Sequence, residues 1–156
     1  MSLDQHDLAV IRQVLEKLSF YQFLQPSELE KLVAGFEKSD IKKGDVLINQ
    51  DKSGEIFYIL AAGTVGVYLK GKLLGKKIAT LGADSFFGEM SLISDEPRSA
   101  TVMCEDDGVV YTLLKKTFRE VILSNPAIAE MVRKTASDRK ASTRSIEQAE
   151  WMGKKL

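Results

Sequence analysis

Between residues 41 and 114 the hydrophobic pattern of the chain changes period, and this change restricts the fold more than any other feature. The segments DVLINQ, EIFYILAAGTVGVYLKG, KLLGKKIATLG, SATVMCE and GVVYTLL are short and rich in Val, Ile, Tyr and Thr. Turn material in KKGD, QDKSGE and EDDG separates them, so each reads as a strand bounded by residues that reverse the chain. Short strands at this regular spacing predict an antiparallel jelly-roll barrel or sandwich. Strands do not alternate with crossover helices, which argues against a parallel nucleotide-binding sheet.

Helical patterns flank the strands. In residues 1–38, Leu8, Ile11, Val14, Leu15 and Leu18 recur at steps of three and four, the spacing of a one-sided apolar stripe. Pro26-Ser27-Glu28 opens a second helix with Leu29, Leu32, Val33 and Phe36 on one face, and Ser27 with Glu30 has capping-box spacing. In residues 115–156, KKTFREVILSNP reads as a helix interrupted at Asn125-Pro126, because the residue before a proline is driven out of helical geometry. A long helix then runs from Ala127 towards Trp151. Ile128, Val132, Thr135, Arg139, Ser142, Ile146 and Ala149 form a heptad seam along it. The middle of that seam is polar, so packing on the chain's own barrel and pairing in a homodimer both fit. The expectation is one α+β domain over residues 1–156, a jelly-roll barrel between N-terminal helices and a long C-terminal helix.

Composition removes several classes of function. Lys+Arg and Asp+Glu both number 22, so no global field draws the chain to nucleic acid or to an anionic membrane. Cys104 and His6 are the only residues of their types. Intrachain disulfides, zinc, iron–sulfur and haem sites, and metal-dependent jelly-roll enzymes therefore lack their ligands. No apolar run reaches the roughly 18 residues of a membrane span and the N-terminus has no signal pattern, so a cytoplasmic location is expected. Catalysis is not indicated: there is neither a nucleophile–base pair nor a triphosphate loop, and KGKLLGKK at 70–77 reads as a solvated hairpin.

The β pattern is interrupted once, in FFGEMSLISDEPRSATV at residues 86–102. A single helical turn beginning near Gly88 fits GEMSLIS, with Met90, Leu92 and Ile93 towards the core. Gly88 lets a ligand approach the backbone, and free N–H groups at a helix start favour an anion. The planar guanidinium of Arg98 matches two phosphate oxygens and stays charged at any working pH. Ser99 and Ala100 add a small hydroxyl and uncrowded N–H groups. Glu89 accepts hydrogen bonds, as a sugar hydroxyl requires. On spacing alone, a dipole-stabilised surface Glu and a solvated Arg fit these positions as well.

That stretch resembles the phosphate-binding cassette of cyclic nucleotide-binding domains: Phe-Gly-Glu, apolar residues, then Pro-Arg-small-Ala. The resemblance extends through IKKGDVLINQDKSGEIFYILAAGTVGVY, LVAGFEKSD and LKKTFREVILSNP, covering roughly residues 20–135. It implies that Glu89 accepts a bond from the ribose 2′-hydroxyl, with Gly88 and Met90 giving backbone contacts. Arg98 would pair with the cyclic phosphate, assisted by Ser99 and the Ala100 N–H. Val67, Ile78 and Ala79 would line the pocket under the purine. By register with bacterial members of the family, Arg139 and Thr143 of the C-terminal helix would reach the pocket glutamate and the base.

The resemblance implies cAMP, with cGMP as the alternative and cyclic di-GMP a lesser one: a Thr after the arginine goes with cGMP, an Ala with cAMP, and Ser99 is of the kind found in bacterial cAMP receptors. Helix-turn-helix, tandem-copy and membrane-span portions of other members are not found in these 156 residues, so direct DNA binding is not expected. The implied role is a sensor module, alone or cut from a larger protein, acting on a fused or separate effector. A ligand-free interaction or dimerisation module on the same fold is the alternative. Ligand would neutralise Arg98, which pairs in part with acids such as Glu89 when the pocket is empty. The last helix would then close from a hinge near Ser124–Pro126. Trp151 would either stack on the purine or pack on the barrel or a dimer seam.

Overall fold

The strand Ile56–Ala62 explains the layering, because its opening Ile-Phe-Tyr-Ile-Leu is apolar at every position rather than at every second one. Alternate side chains of a strand point to opposite faces, so such a run needs cover on both sides. The computed structural model describes residues 2–70 and 75–137. Within them the strands are β1 (Glu37–Ile41), β2 (Val46–Ile48), β3 (Ile56–Ala62), β4 (Val65–Lys70), β5 (Gly75–Leu81), β6 (Phe86–Phe87), β7 (Thr101–Cys104) and β8 (Gly108–Leu114). The helices are α1 (Gln5–Leu15), α2 (Pro26–Ala34), α3 (Glu89–Ile93), α4 (Lys115–Val121) and α5 (Pro126–Ser137), with a 3₁₀ turn at Tyr21–Phe23.

The strands form two four-stranded antiparallel sheets, in the orders β1-β8-β3-β6 and β2-β7-β4-β5. This is the expected jelly-roll arrangement, present as two sheets that share a core. Tyr58 and Leu60 of β3 and Val110 of β8 pack with Val65, Val67 and Val102 of the second sheet. Phe57, Ile59, Tyr111 and Leu113 point the other way and join Ile11, Leu15, Leu32 and Phe118 from the helices. The first sheet is therefore covered on both faces. The second has an open face, and its edge strand β5 exposes Lys76, Lys77 and Thr80. Charged side chains on an edge discourage pairing with another chain.

The helical stripes fall as the spacing predicts. Ile11, Val14, Leu15 and Leu18 are buried, and the rings of Phe20 and Phe118 meet at 4.9 Å between centroids. The start of α2 differs from the Ser27/Glu30 expectation. Pro26 takes the first helical position, where its missing N–H costs nothing, so the cap moves back to Gln25. The third position is then Glu28, whose Oε1 accepts the Gln25 N–H at 2.8 Å.

At α1 the carboxylates of Asp4 and Asp7 each accept the other's backbone N–H at 2.8 Å. Asp7 is buried and also accepts the Tyr111 hydroxyl at 2.6 Å and the Lys38 ammonium at 3.1 Å. Burial opposes its ionisation, but the bonds from Tyr111, Asp4 and Lys38 outweigh it and hold the carboxyl well below the usual range. Burial first, then the neighbouring Asp7, push the Tyr111 phenol far above its ordinary value.

Helix α4 ends at Val121, ahead of the interruption expected at Asn125-Pro126, and α5 begins at Pro126. Ile128 is buried, while Val132 and Thr135 are half-buried. Arg139 and the remaining seam positions, with Thr143 and Trp151, lie outside the described residues.

Candidate ligand site around Glu89 and Arg98

Two peptide segments build the site. β6 leads into Gly88, whose backbone is left-handed (φ +90°), a conformation strained for any residue with a Cβ. The short α3 follows, with Leu92 and Ile93 buried against the helix layer and Met90 partly buried beside them. Its first residue, Glu89, is only 5% exposed. The Glu89 Oε2 accepts the backbone N–H of Ser19 at 2.8 Å and also the Ser19 hydroxyl.

The second segment is the loop leading into β7. Pro97 bridges Ser53, the Arg98 N–H donates to the Lys52 carbonyl at 2.8 Å, and the Asp51 N–H donates to the Arg98 carbonyl at 2.8 Å. These main-chain bonds fix Arg98 against the loop that precedes β3. Its side chain is 4% exposed, and Nη2 donates to the Ile56 carbonyl at 2.9 Å. Burying a guanidinium is costly, so its seat must be shaped for it.

Two glycines shape that seat. A Cβ on Gly54 would stand 2.0 Å from Arg98 Nε, and one on Gly88 would stand 2.9 Å from Nη2. The arginine thus packs on two backbones that carry no side chains. Beside it lies a cavity of about 170 Å³ lined by Leu47, Asn49, Lys52, Gly54, Tyr58 and Arg98 among others. The Tyr58 hydroxyl donates to the Leu47 carbonyl at 3.0 Å. Burial raises its phenol pKa, while the Arg98 charge pulls it down.

The other expected residues divide as follows. Gly88 meets the Arg98 guanidinium, and Ser99 and Ala100, both buried, continue the chain from Arg98. Val67 is buried between the sheets and lies opposite Ala79 in the β4–β5 register. Ile78, next to Ala79 on the edge strand, is 39% exposed. Ser19 and Gly54 were not anticipated as site residues. QDKSGE marks Gly54 only as part of a turn, and no local pattern singles out Ser19.

A wider hollow of about 710 Å³ opens elsewhere, where α2, α4 and α5 meet, lined by Phe23, Gln25, Glu28, Lys31, Asn125 and Ala127 among others. It is larger than the cavity at Arg98, but neither Arg98 nor Glu89 lines it. Asn125 is its organising residue. Its Nδ2 donates to the Phe23 carbonyl and to Glu28 Oε1, both at 2.8 Å, and its Oδ1 accepts the Ile128 N–H at 3.0 Å. One side chain therefore caps α5 and ties it to the N-terminal helices.

Residues 38–125 match the cyclic nucleotide-binding domain family. A cyclic nucleotide-gated potassium channel of Mesorhizobium japonicum is 32% identical over 133 residues, covering 85% of this chain and 36% of the channel. The type II regulatory subunit of cAMP-dependent protein kinase from Drosophila melanogaster is 30% identical over 122 residues, covering 78% of this chain and 31% of the subunit. This chain thus spans about a third of each relative. Among solved structures, the regulatory domain of Toxoplasma gondii PKA with cAMP superposes with a TM-score of 0.70 at 20% identity, covering 90% of this chain and 52% of that one.

Proposed function

This chain belongs to the cyclic nucleotide-binding domain family, and from that membership we propose a non-catalytic cytoplasmic sensor module for cyclic mononucleotides, with cAMP preferred over cGMP. One observation carries the reading: a buried arginine seated against two glycine backbones, next to the glycine that opens the turn carrying a buried glutamate. In this reading Arg98 takes the cyclic phosphate through its planar fork, assisted by Ser99 and the Ala100 N–H. Glu89 accepts the ribose 2′-hydroxyl, and Gly88 and Met90 contribute backbone contacts. Val67, Ile78 and Ala79 would lie under the purine, and Arg139 and Thr143, outside the described residues, would reach the pocket glutamate and the base.

Support for cAMP comes from Ser99, from the cAMP-dependent kinase subunit among the relatives and from the cAMP bound in the superposed structure. Binding would bias the C-terminal helix towards a closed position by a difference in ligand contacts between two states. A fused or separate effector, or a second copy of the chain, would read that movement.

Titration calorimetry with cAMP and cGMP tests the proposal. Micromolar or tighter binding, stronger for cAMP, is the expected result, and no heat at millimolar ligand would leave only an interaction module on this fold. Arg98→Ala should weaken cAMP more than tenfold, about 1.4 kcal/mol. Gly54→Ala should weaken it as well, because the new Cβ and the Arg98 guanidinium cannot share one place. An unchanged affinity in both variants would put the phosphate elsewhere.

A further inference from the structure

We propose that Ser19 is a positioning residue for Glu89, so that the ribose-reading part of the site is composite, made by two segments 70 residues apart in sequence. The inference rests on the sensor reading above and adds to it a residue that lies ahead of the family match at 38–125.

A carboxylate that reads one hydroxyl must be held at a fixed angle, and hydrogen bonds to its oxygens fix that angle. Ser19 supplies two donors, the backbone N–H at 2.8 Å and the side-chain hydroxyl, and both converge on Oε2. Donors to a carboxylate are charge-assisted and favour the ionised, acceptor-only form that a ribose hydroxyl needs. Ser19 is itself well anchored. It sits between the end of α1, where the Leu18 N–H donates to the Leu15 carbonyl at 3.1 Å, and the 3₁₀ turn, where the Tyr21 N–H donates to the Leu18 carbonyl at 3.1 Å. Its neighbours Leu18 and Phe20 are both buried in the helix-layer core. Ser19 is exposed, so its fixed position comes from these neighbours. The N-terminal helices thereby set the aim of a group in the cassette.

A pair of ligands separates positioning from bracing of the fold. Wild type, Ser19→Ala and Ser19→Thr are titrated with cAMP and with 2′-deoxy-cAMP, which lacks the hydroxyl Glu89 would read. Ser19→Ala should weaken cAMP about five- to tenfold, because Glu89 keeps only one of the two donors that fix its aim, and leave 2′-deoxy-cAMP within about twofold, the usual scatter of additive effects. Ser19→Thr, which keeps the hydroxyl, should restore cAMP binding. An equal loss on both ligands, no loss on either, or tighter cAMP binding would overturn the role of Ser19 while leaving the sensor reading in place. Wild type binding neither ligand would overturn the sensor reading, and this inference with it.

Discussion

On the covered sheet, the Asp7 carboxylate takes hydrogen bonds from Tyr111 and Lys38; on the open sheet, the Glu105 carboxylate takes them from Tyr68 at 3.0 Å and Lys77 at 2.7 Å. The chemistry is the same, a phenol and an ammonium on one carboxylate. The surroundings differ: the Asp7 side chain is 3% exposed, that of Glu105 is 25% exposed and that of Lys77 is 43% exposed. Water reaches both the acid and the base of the outer trio, whereas in the inner one it reaches Lys38, 23% exposed, and hardly touches Asp7. A contact of given geometry therefore matters in proportion to what would replace it, and the buried Asp7 carboxylate and Tyr111 hydroxyl have the least to replace it.

The contrast can be broken most directly at Asp7. Asp7→Ala removes the cap partner of Asp4 and leaves the buried Tyr111 hydroxyl without its acceptor, so urea unfolding should show a loss of about 3 kcal/mol. Tyr111→Phe keeps the ring and removes one charge-assisted bond, with an expected loss of about 2 kcal/mol by the same measurement.

Acid and alkali sharpen the comparison from opposite sides. Asp7 is depressed in the folded state, so its contribution is complete above the unfolded carboxyl value of about 4 and is lost as pH falls below it. Tyr111 is raised in the folded state, so its contribution is complete below the unfolded phenol value of about 10 and is lost as pH rises above it. Asp7→Asn should flatten the acid limb of a stability–pH curve and Tyr111→Phe the alkaline limb; limbs unchanged in both variants would show that other groups set them.

The smallest effect belongs to the outer trio. Lys77→Ala should leave the urea midpoint unmoved within error, and 0.5 M NaCl should erase any residue of a difference, since salt screens exposed pairs far more than buried ones. A midpoint shift as large as that of Tyr111→Phe would refute the distinction.

These trios also mark where sequence reasoning stops. The stripe from Ile11 to Leu18 and the start of a new helix at Pro126 were legible, because each depends on neighbours within a few residues, whereas EIFYILAAGTVGVYLKG, read as one segment, is two strands parted at Gly63. The cassette was legible as a pattern, and the structure adds the seat of Arg98. Asp7 gave no sign of burial: an acid in the first turn of an amphipathic helix looks like a surface residue stabilised by the dipole, and its phenol partner is 104 residues away. Gly54 and Ser19 were hidden for the same reason, since what they touch is decided by packing. The capping box of α2 slipped by two residues through a local cause, the preference of proline for the first helical position.

Asn125 has a mechanical consequence. Because its amide is bonded to Phe23 and Glu28 while its carbonyl oxygen caps α5, the near end of α5 is anchored, and any rotation of the helix would turn about that end. The twelve residues of Pro126–Ser137 make an arm of about 18 Å. A swing of about 10° at such a pivot carries the far end some 3 Å, roughly the spacing between hydrogen-bonded partners. A small rotation at one asparagine would thus be enough to make or break a contact at Ser137.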